Sequence, residues 1–358
     1  MPQEPMGPQE PMMPPMQQMP PMPPQPMSKS RARSKMTSGK NHIIVTVAVI
    51  TYNQEQWIRQ TLDSILSQQT DYPYEVIIGE DYSTDGTRAI CQAYADKYEN
   101  VILLPSVENL GVTANWVRCV QAGSGKYIMN CAGDDYWHNP NKIQLQVDFM
   151  EKHLDCVLCH TDIDELHEKT GALEKNVKRA KGIIPPEGRI QRTILNGSAS
   201  IAAVTQCIRR DAFDRYVHAD EFARRRFPRE DWPTQLVLSA YGDILYIPES
   251  TATYRIGQES ITRTSDYEKI IKRAQQDKEM TKYLYTLFPE WGPFNDEEYF
   301  DTIGYHNALL AAYRNNDYLA AQKYAKSDKF PSKATYMAKT WVTFKIYRLW
   351  RMRRNTLL

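Results

Sequence analysis

Residues 126–137 read Lys-Tyr-Ile-Met-Asn-Cys-Ala-Gly-Asp-Asp-Tyr-Trp, an apolar run followed closely by two carboxylates. The apolar half is typical of a short buried strand. Asp134 and Asp135 come where that strand ends, and hard divalent cations prefer oxygen ligands that they can share with phosphates. In α/β sheets the ligand crevice lies beyond the carboxyl ends of the strands. The stretch therefore predicts a site for a metal ion and a phosphorylated ligand.

Strand and helix patterns alternate before this stretch. Apolar, largely β-branched runs predict three earlier strands at residues 43–50, 74–79 and 101–104. Amphipathic spacing predicts helices at residues 55–68, 87–98 and 112–122. Strand–helix units in sequence indicate an α/β fold with a mostly parallel sheet flanked by helices.

The second half of the chain has more varied patterns. We expect a helix at residues 141–153, a strand at 156–160, and further elements at 198–208 (strand), 232–241 (helix), 244–247 and 252–256 (strands). Residues 165–186 are polar and interrupted by Gly and Pro, which predicts a mobile loop. The last part of the chain predicts helices at 267–287, 296–315, 317–327 and 332–354.

Composition divides the chain into three predicted parts. Half of the 22 prolines lie in residues 1–42, which predicts a disordered Pro/Met-rich arm because proline forbids helix interiors and central strands. Residues 43–262 form the predicted α/β domain, and residues 263–358 form a helical C-terminal region.

Charge and cysteine usage limit the functional classes. The formal net charge of +1 gives no reason to expect nucleic-acid binding. The six cysteines are scattered through regular elements, which favours a reducing compartment. Neither a secretory signal nor an apolar run long enough to span a membrane is visible. We therefore expect a cytoplasmic protein.

Three of the predicted strands end in polar residues, at 51–55, 80–87 and 134–135. The carboxyl ends of parallel strands share one edge, so these residues are expected to line one crevice. Asp81 is placed to accept a hydrogen bond from a nucleobase N–H or a ribose hydroxyl, as acidic residues do in dinucleotide folds. The chain has neither G-x-G-x-x-G nor a P-loop, so a diphosphate must be neutralised by a metal ion.

Four ordered motifs carry a family resemblance. They are Val-Ala-Val-Ile-Thr-Tyr-Asn at 47–53, Glu-Asp-Tyr-Ser-Thr-Asp-Gly-Thr at 80–87, Asn-Leu-Gly at 109–111 and Gly-Asp-Asp-Tyr-Trp at 133–137. Together they resemble the signatures of family 2 glycosyltransferases of the GT-A fold, over about residues 43–262. The resemblance implies a Rossmann-like sheet and inverting sugar transfer from a nucleotide-diphosphate donor, usually a UDP-sugar, with Mg²⁺ or Mn²⁺ on the diphosphate.

The resemblance also implies roles for individual residues. Asp134 would hold the metal ion as the last acidic residue of the D-x-D motif, and Asp231 would be the catalytic base. Asp135, next to Asp134, is the second candidate metal ligand. The nucleotide sugar would be bound by Thr51, Tyr52, Asn53, Glu55, Asp81, Gly111, Asp134 and Arg255. The chemistry agrees, because inversion needs one carboxylate to take the proton of the acceptor hydroxyl and positive charge on the departing diphosphate.

Two positions depart from the family pattern. Ala132 occupies the first acidic position of the D-x-D motif, and Gly257 occupies a position where many relatives carry a histidine. The metal ion therefore has few protein ligands. This leaves open an alternative, a catalytically weakened nucleotide-sugar-binding protein of the same fold. A nucleotidyltransferase is a weaker alternative, because residues 52–57 lack a basic, glycine-containing phosphate loop.

The family suggests a glycan or lipid-linked acceptor and a role in surface polysaccharide or glycolipid synthesis. Residues 341–354 alternate Lys and Arg with Trp, Phe, Ile and Leu. Such a basic amphipathic helix fits an anionic membrane surface. A helix packed on the protein with its cations in solvent is the equal alternative. A peripheral position on the inner face of the membrane is thus compatible with the sequence.

Overall fold

The computed structural model describes residues 42–257, 264, 266–295, 304–327, 334 and 337–355. In this part of the chain, eight strands form one sheet. They are β1 (Val45–Thr51), β2 (Tyr74–Glu80), β3 (Val101–Leu103), β4 (Tyr127–Ala132), β5 (Cys156–His167), β6 (Ala172–Glu174), β7 (Gln206–Arg209) and β8 (Asp243–Ile256). The predicted arm up to residue 41 and the predicted domain boundary at residues 262–263 lie outside the described residues.

The helices of the first domain cover both faces of the sheet. They are α1 (Ile58–Leu66), α2 (Thr87–Lys97), α3 (Val112–Ala122), α4 (Lys142–Lys152), α5 (Val177–Ala180), α6 (Gln191–Leu195), α7 (Arg210–Tyr216), α8 (Ala219–Arg224) and α9 (Asp231–Tyr241). The C-terminal region contributes α10 (Tyr267–Leu287), α11 (His306–Asn315), α12 (Tyr318–Ser327) and α13 (Trp341–Asn355).

The strand order is β3-β2-β1-β4-β7-β5-β6, and β8 pairs with β5. β1 runs parallel to both β2 and β4, with Thr51 opposite Glu80 and Ile50 opposite Ala132. The carboxyl ends of these three strands therefore meet at one edge, as predicted. β7 is antiparallel to β4 and β5, and the α/β fold with a mostly parallel sheet is confirmed.

The alternation of side chains along β1 builds two cores. Val47 and Val49 pack in the cluster that includes Ile58 and Leu62 of α1. Ala48, which faces the other way, packs in the cluster that includes Trp116 of α3. All six cysteines are buried free thiols. Both faces of the sheet are therefore covered by apolar packing, which leaves the strand ends as the place for polar chemistry.

The predicted loop at residues 165–186 is wrong. β5 continues to His167, β6 pairs with it, and α5 follows. A buried carboxylate that precedes this stretch holds α5 in place, because Asp162 accepts hydrogen bonds from the Lys178 and Arg179 N–H groups. Asp164 likewise accepts one from the Asn176 N–H group. These hydrogen bonds join residues 12 to 17 positions apart, so the polar sequence of residues 165–186 does not reveal the helix and the strand within it.

Two other strand predictions need correction. The predicted strand at residues 198–208 is reduced to β7, preceded by a 3₁₀ turn at Ala203–Thr205. The two predicted strands at 244–247 and 252–256 are one strand, β8. Irregular pairing around Thr161 and Asp162 of β5 absorbs the intervening residues, so that β8 stays paired on both sides of the interruption.

The C-terminal helices have a core of their own. Phe344 and Tyr347 of α13 pack with Tyr313 of α11, and the Tyr313 and Phe344 rings stack at 4.7 Å. Among the described residues, no helix has the length and apolar character needed to cross a membrane.

A fully buried lysine joins α4 to β8. The Lys142 ammonium donates to Gln146 Oε1 at 2.6 Å and to Thr251 Oγ1 at 3.0 Å. It also lies over the Trp137 ring at 5.4 Å. Burial lowers the pKa of Lys142 from 10.5 to about 8. Its partners among the described residues, Gln146, Thr251 and Trp137, are neutral, so the folded state bears the cost of its charge.

We expect Lys142→Met to reveal this cost as a change in how the free energy of unfolding depends on pH. Between the folded pKa near 8 and the unfolded pKa of 10.5, the unfolded chain binds more protons, so wild-type stability rises with pH. The variant lacks this gain. Its free energy of unfolding minus that of wild type, from urea denaturation, should fall by roughly 1–3 kcal/mol from about pH 7.5 to about pH 10. Lys152→Met, at an exposed lysine of the same helix, should show a constant difference; a constant difference for Lys142→Met would contradict this account.

Candidate active site

The loops after β1 and β2 are bound to each other by side chains. Asn53 lies in the left-handed region, with φ 51°, and its Oδ1 accepts from the Thr84 N–H group at 2.8 Å. Glu55 Oε2 accepts from the Gly86 N–H group, and Asp85 Oδ2 accepts from the Glu55 N–H group. Two of the predicted nucleoside-binding residues, Asn53 and Glu55, thus also fix the relative position of the two loops.

The same loops present exposed rings. Tyr52 is 46% exposed, whereas the neighbouring Thr51 is buried and donates to Gln54 Oε1. Tyr82, at the end of β2, is 53% exposed and has a φ of 64°. A bulky side chain in this backbone region is rare. Tyr82 was not predicted as a site residue, because its motif shows the residue type but not the backbone conformation that turns the ring outward.

Asp81 holds the turn that precedes α3. Its two carboxylate oxygens accept hydrogen bonds from the Leu110 N–H group at 2.8 Å and the Gly111 N–H group at 2.9 Å. Gly111 has a φ of 84°, which favours glycine, and α3 begins after it. A carboxylate has about four acceptor positions, so these two bonds leave Asp81 able to accept from a ligand.

Asp134 and Asp135 lie between α1 and β8. Asp135 is buried, its Oδ1 accepts from the Arg255 N–H group at 2.9 Å, and its carbonyl accepts from Thr61 Oγ1 at 2.7 Å. The next residue, Tyr136, exchanges backbone hydrogen bonds with Thr253 of β8. The two carboxylates are therefore held at the strand-end edge from both sides.

The electrostatics of this pair favour a cation. Burial raises the pKa of Asp134, and burial together with the Asp134 charge raises the pKa of Asp135 well above its usual range. The positive charge of Arg255 offsets this only in part. Two adjacent, poorly hydrated carboxyl groups fit a divalent cation, which Asp134 and Asp135 would hold. Ala132, at the end of β4, adds no ligand.

Arg255 is anchored on several sides. Its Nε donates to the Asp134 carbonyl at 2.8 Å, and one of its terminal nitrogens donates to Gln60 Oε1 at 2.6 Å. The guanidinium lies 3.5 Å from Glu168 Oε1, and its side chain is 10% exposed. It is also 5.7 Å from the Tyr136 ring centroid. The charge is thus fixed beside Asp134, with little freedom to move.

Asp231 begins α9 and follows a second acidic residue. Its Oδ1 accepts from the Trp232 N–H group at 2.7 Å, and burial raises its pKa. Burial, followed by the charge of Asp231, raises the pKa of Glu230 to about 8. Arg229 forms two hydrogen bonds with Asp277 of α10. Glu230 was not predicted as a site residue, although a pair of adjacent acids at a helix start signals such coupling.

A separate cluster lies on the β5–β6 hairpin. Within the described residues, the one group of three acidic or imidazole side chains with ligand atoms inside 4.8 Å of one another is Glu165, His167 and Glu174. His167 Nε2 lies 3.1 Å from Glu174 Oε1, and the Lys181 ammonium lies 3.4 Å from Glu174 Oε2. The cluster was not predicted, because its residues fall in the stretch that the sequence suggests is a loop.

The chain resembles known proteins over part of its length. Rv1520, an uncharacterized protein of Mycobacterium tuberculosis, is 31% identical over 212 residues, which cover 59% of this chain and 58% of that protein. The dTDP-rhamnosyl transferase RfbG of Shigella flexneri is 34% identical over 103 residues, 27% of this chain and 35% of its own length. This chain therefore spans less than two thirds of these relatives.

A solved structure is also similar. S. aureus TarS 1-349 in complex with UDP-GlcNAc has a TM-score of 0.45 and 14% identity, and the alignment covers 86% of this chain and 90% of that one. Residues 46–217 match the family model described as glycosyl transferase family 2. These residues include the strand-end motifs and the carboxylate pair. The domain that they form belongs to the family 2 glycosyltransferases.

Proposed function

We propose that the protein transfers a sugar from a nucleoside-diphosphate donor to a hydroxyl group of an acceptor, with inversion at the anomeric carbon. The observation that carries this proposal is the buried pair Asp134 and Asp135 beside the fixed charge of Arg255, at the edge where β1, β2 and β4 end. A diphosphate needs positive charge, and this edge can supply it from a metal ion and a guanidinium.

The donor's nucleoside fits the loops after β1 and β2. Asp81 retains acceptor capacity for a base N–H group or a ribose hydroxyl, and Thr51 lies beside it at the end of β1. The exposed rings of Tyr52 and Tyr82 offer surfaces on which a base can stack. These features support a UDP-sugar donor, which the family commonly uses.

Mg²⁺ or Mn²⁺ would be held by Asp134 and Asp135 and would neutralise charge on the departing diphosphate. Arg255 would contribute a second positive charge from the protein. One carboxylate oxygen of Asp135 is already occupied by the Arg255 N–H group, which leaves the other for a ligand. With Ala132 and Gly257 at the two family positions, water and substrate oxygens would complete the coordination.

Asp231 is proposed as the base. The acceptor oxygen forms a bond to the anomeric carbon while the bond from that carbon to the diphosphate breaks. The proton of the acceptor hydroxyl passes to the Asp231 carboxylate. Its burial raises its proton affinity toward the neutral range, where a general base is most effective. Burial and the charge of Asp231 raise the pKa of the neighbouring Glu230, so the two adjacent acids do not readily carry two negative charges together.

A membrane surface is the proposed location of the acceptor, which we take to be a glycan or a lipid-linked glycan of surface polysaccharide synthesis. Phe344 and Tyr347 of α13 face the protein. On the other side Val342, Ile346 and Leu349 are 55–59% exposed. A solvated helix would be polar there, so this apolar face, with basic residues along the same helix, fits an anionic bilayer interface.

We expect Asp231→Asn to lower the transfer rate by about two to four orders of magnitude, because the amide cannot take the proton. Affinity for UDP, measured by calorimetry, should remain unchanged. The donor for this assay is first found by thermal-shift screening of UDP-sugars. The wild-type rate should fall on the acid side at a pH above the ordinary aspartate range, since the raised pKa keeps Asp231 protonated there.

Asp211→Asn is the matched control, since Asp211 also accepts from the N–H group of the next residue at a helix start. It should retain both transfer and UDP binding. Loss of UDP binding in Asp231→Asn would assign Asp231 a structural role. Full activity in Asp231→Asn, with activity lost in Glu230→Gln, would move the base to Glu230.

We expect Ala132→Asp to strengthen metal binding, because it restores the missing acidic position at the end of β4. In the presence of UDP, Mn²⁺ binding followed by electron paramagnetic resonance should tighten by roughly tenfold. Ala132→Asn, similar in size but uncharged, is the control. If both variants changed Mn²⁺ affinity equally, the missing negative charge at position 132 would not be what limits metal binding. UDP binding without turnover of any donor, in wild type and in Ala132→Asp, would favour the weakened binding protein over the enzyme.

We expect wild-type protein to sediment with vesicles that contain phosphatidylglycerol and to bind pure phosphatidylcholine vesicles weakly. Ile346→Ser combined with Leu349→Ser should weaken binding at least about tenfold, because two apolar contacts with the bilayer are lost. Leu154→Ser combined with Ile184→Ser removes two side chains that are 74% and 91% exposed elsewhere and should bind normally. Equal binding by both pairs would reject α13 as the membrane contact.

A further inference from the structure

A basic pocket lies between the start of α3 and α10. Its volume is about 550 Å³. One wall is formed by the turn and first residues of α3, including Gly111 and Val112, and the other by α10. The floor includes Phe227, whose carbonyl accepts a hydrogen bond from Thr113 Oγ1 at 2.7 Å. The hydrogen bond fixes Phe227 against the start of α3, and the cavity is large enough for a phosphorylated group.

Four cationic side chains line this pocket: Arg226, Lys269, Lys272 and Arg273. None of the described lining residues is acidic. Arg226, Lys269 and Lys272 are exposed, so their charges are available to a ligand that enters from solvent. A concave wall that carries one sign of charge concentrates ligands of the opposite sign. The pocket thus selects for an anion.

The start of α3 adds to this preference. The helix has eleven residues and no side chain caps its N-terminus. Asp81 accepts from the Leu110 and Gly111 N–H groups, which lie before the first helical turn. The N–H groups of the first turn, from Val112 onward, have no partners within the helix and form the positive end of its dipole. Together with four cations, they form a setting for a doubly charged oxyanion.

The pocket adjoins the proposed base. Arg273, which lines it, lies 3.9 Å from Asp277, and Asp277 binds Arg229 two residues before Asp231. Burial raises the pKa of Asp231, and the charges of Arg229 and Arg273 partly oppose that effect, so both guanidiniums lie close to it. An anion in the pocket is therefore near the group that would activate an acceptor hydroxyl. The proposed diphosphate position is beside Asp134 and Arg255, which do not line this pocket, although Gly111 of the proposed donor site does.

We infer that this pocket binds a phosphate group of the acceptor and so selects phosphate-bearing acceptors. The inference rests on the proposed function only in treating the phosphate-bearing molecule as the acceptor of the transfer. Phosphate binding itself can be measured without any turnover. The same chemistry has a second source, the diphosphate of the donor, and the experiment separates the two.

The test is a titration of the full chain with inorganic phosphate, followed by ³¹P line broadening at low salt. Wild type should bind saturably, and binding should weaken as NaCl is added, because salt screens exposed charges. Lys269→Gln combined with Lys272→Gln should weaken binding by roughly five- to tenfold. Lys152→Gln combined with Lys282→Gln removes two lysines outside the pocket and should bind as wild type does. Circular dichroism verifies that each variant is folded.

Repeating the titration at saturating UDP identifies the source. Unchanged phosphate affinity supports an acceptor site, since both ligands are then bound together. Displacement of phosphate by UDP would assign the pocket to the donor and overturn the inference. Absence of saturable binding, or equal loss in both lysine pairs, would also overturn it. If no donor is turned over but phosphate binds as expected, the proposed transfer fails while the anion pocket stands.

Discussion

Two adjacent carboxyl groups at the end of β4 place the strongest electrostatic constraint on this fold. Burial opposes the charge of both Asp134 and Asp135, and the charge of Asp134 also opposes ionisation of Asp135. The structure offsets this with Arg255, whose N–H group and side chain both reach the pair. Arg255 lies near the end of β8, so β8 must be long and must stay paired with β5 as far as this edge. The extended β5–β8 pairing thus places Arg255 where it can stabilise the pair.

The sequence predicted the half of the sheet that is built from apolar strands, and it failed where buried strands are polar. β1, β2 and β4 are apolar runs between amphipathic helices, and their predicted and observed limits nearly coincide. β5 continues beyond its predicted end at residue 160 and carries Asp162 and Asp164, whose charges interrupt the apolar pattern of a buried strand. Their carboxylates are satisfied by N–H groups 12 to 17 residues away. Such pairing depends on tertiary structure and leaves no periodic signal.

The location of the candidate site was predictable from the sequence. The contacts of its individual side chains were less predictable. The motifs identified Asn53, Glu55 and Asp81 by residue type, and the structure places all three at one edge. It also gives each of them a backbone N–H group of a neighbouring loop as partner. Tyr82 and Glu230 were missed, because a positive φ and a burial-raised pKa both arise from surroundings that only the fold supplies.

Asp81 connects the two ends of the proposed reaction. Its carboxylate accepts hydrogen bonds from the Leu110 and Gly111 N–H groups. It thereby holds the turn before α3, which lines the basic pocket. Because Asp81 occupies those two groups, an anion in the pocket meets only the N–H groups that follow, at the helix start. A shift of Asp81 toward a bound base would move the turn and with it one wall of the pocket. The proposed nucleoside site and the proposed anion pocket therefore share one structural element, the turn at Gly111.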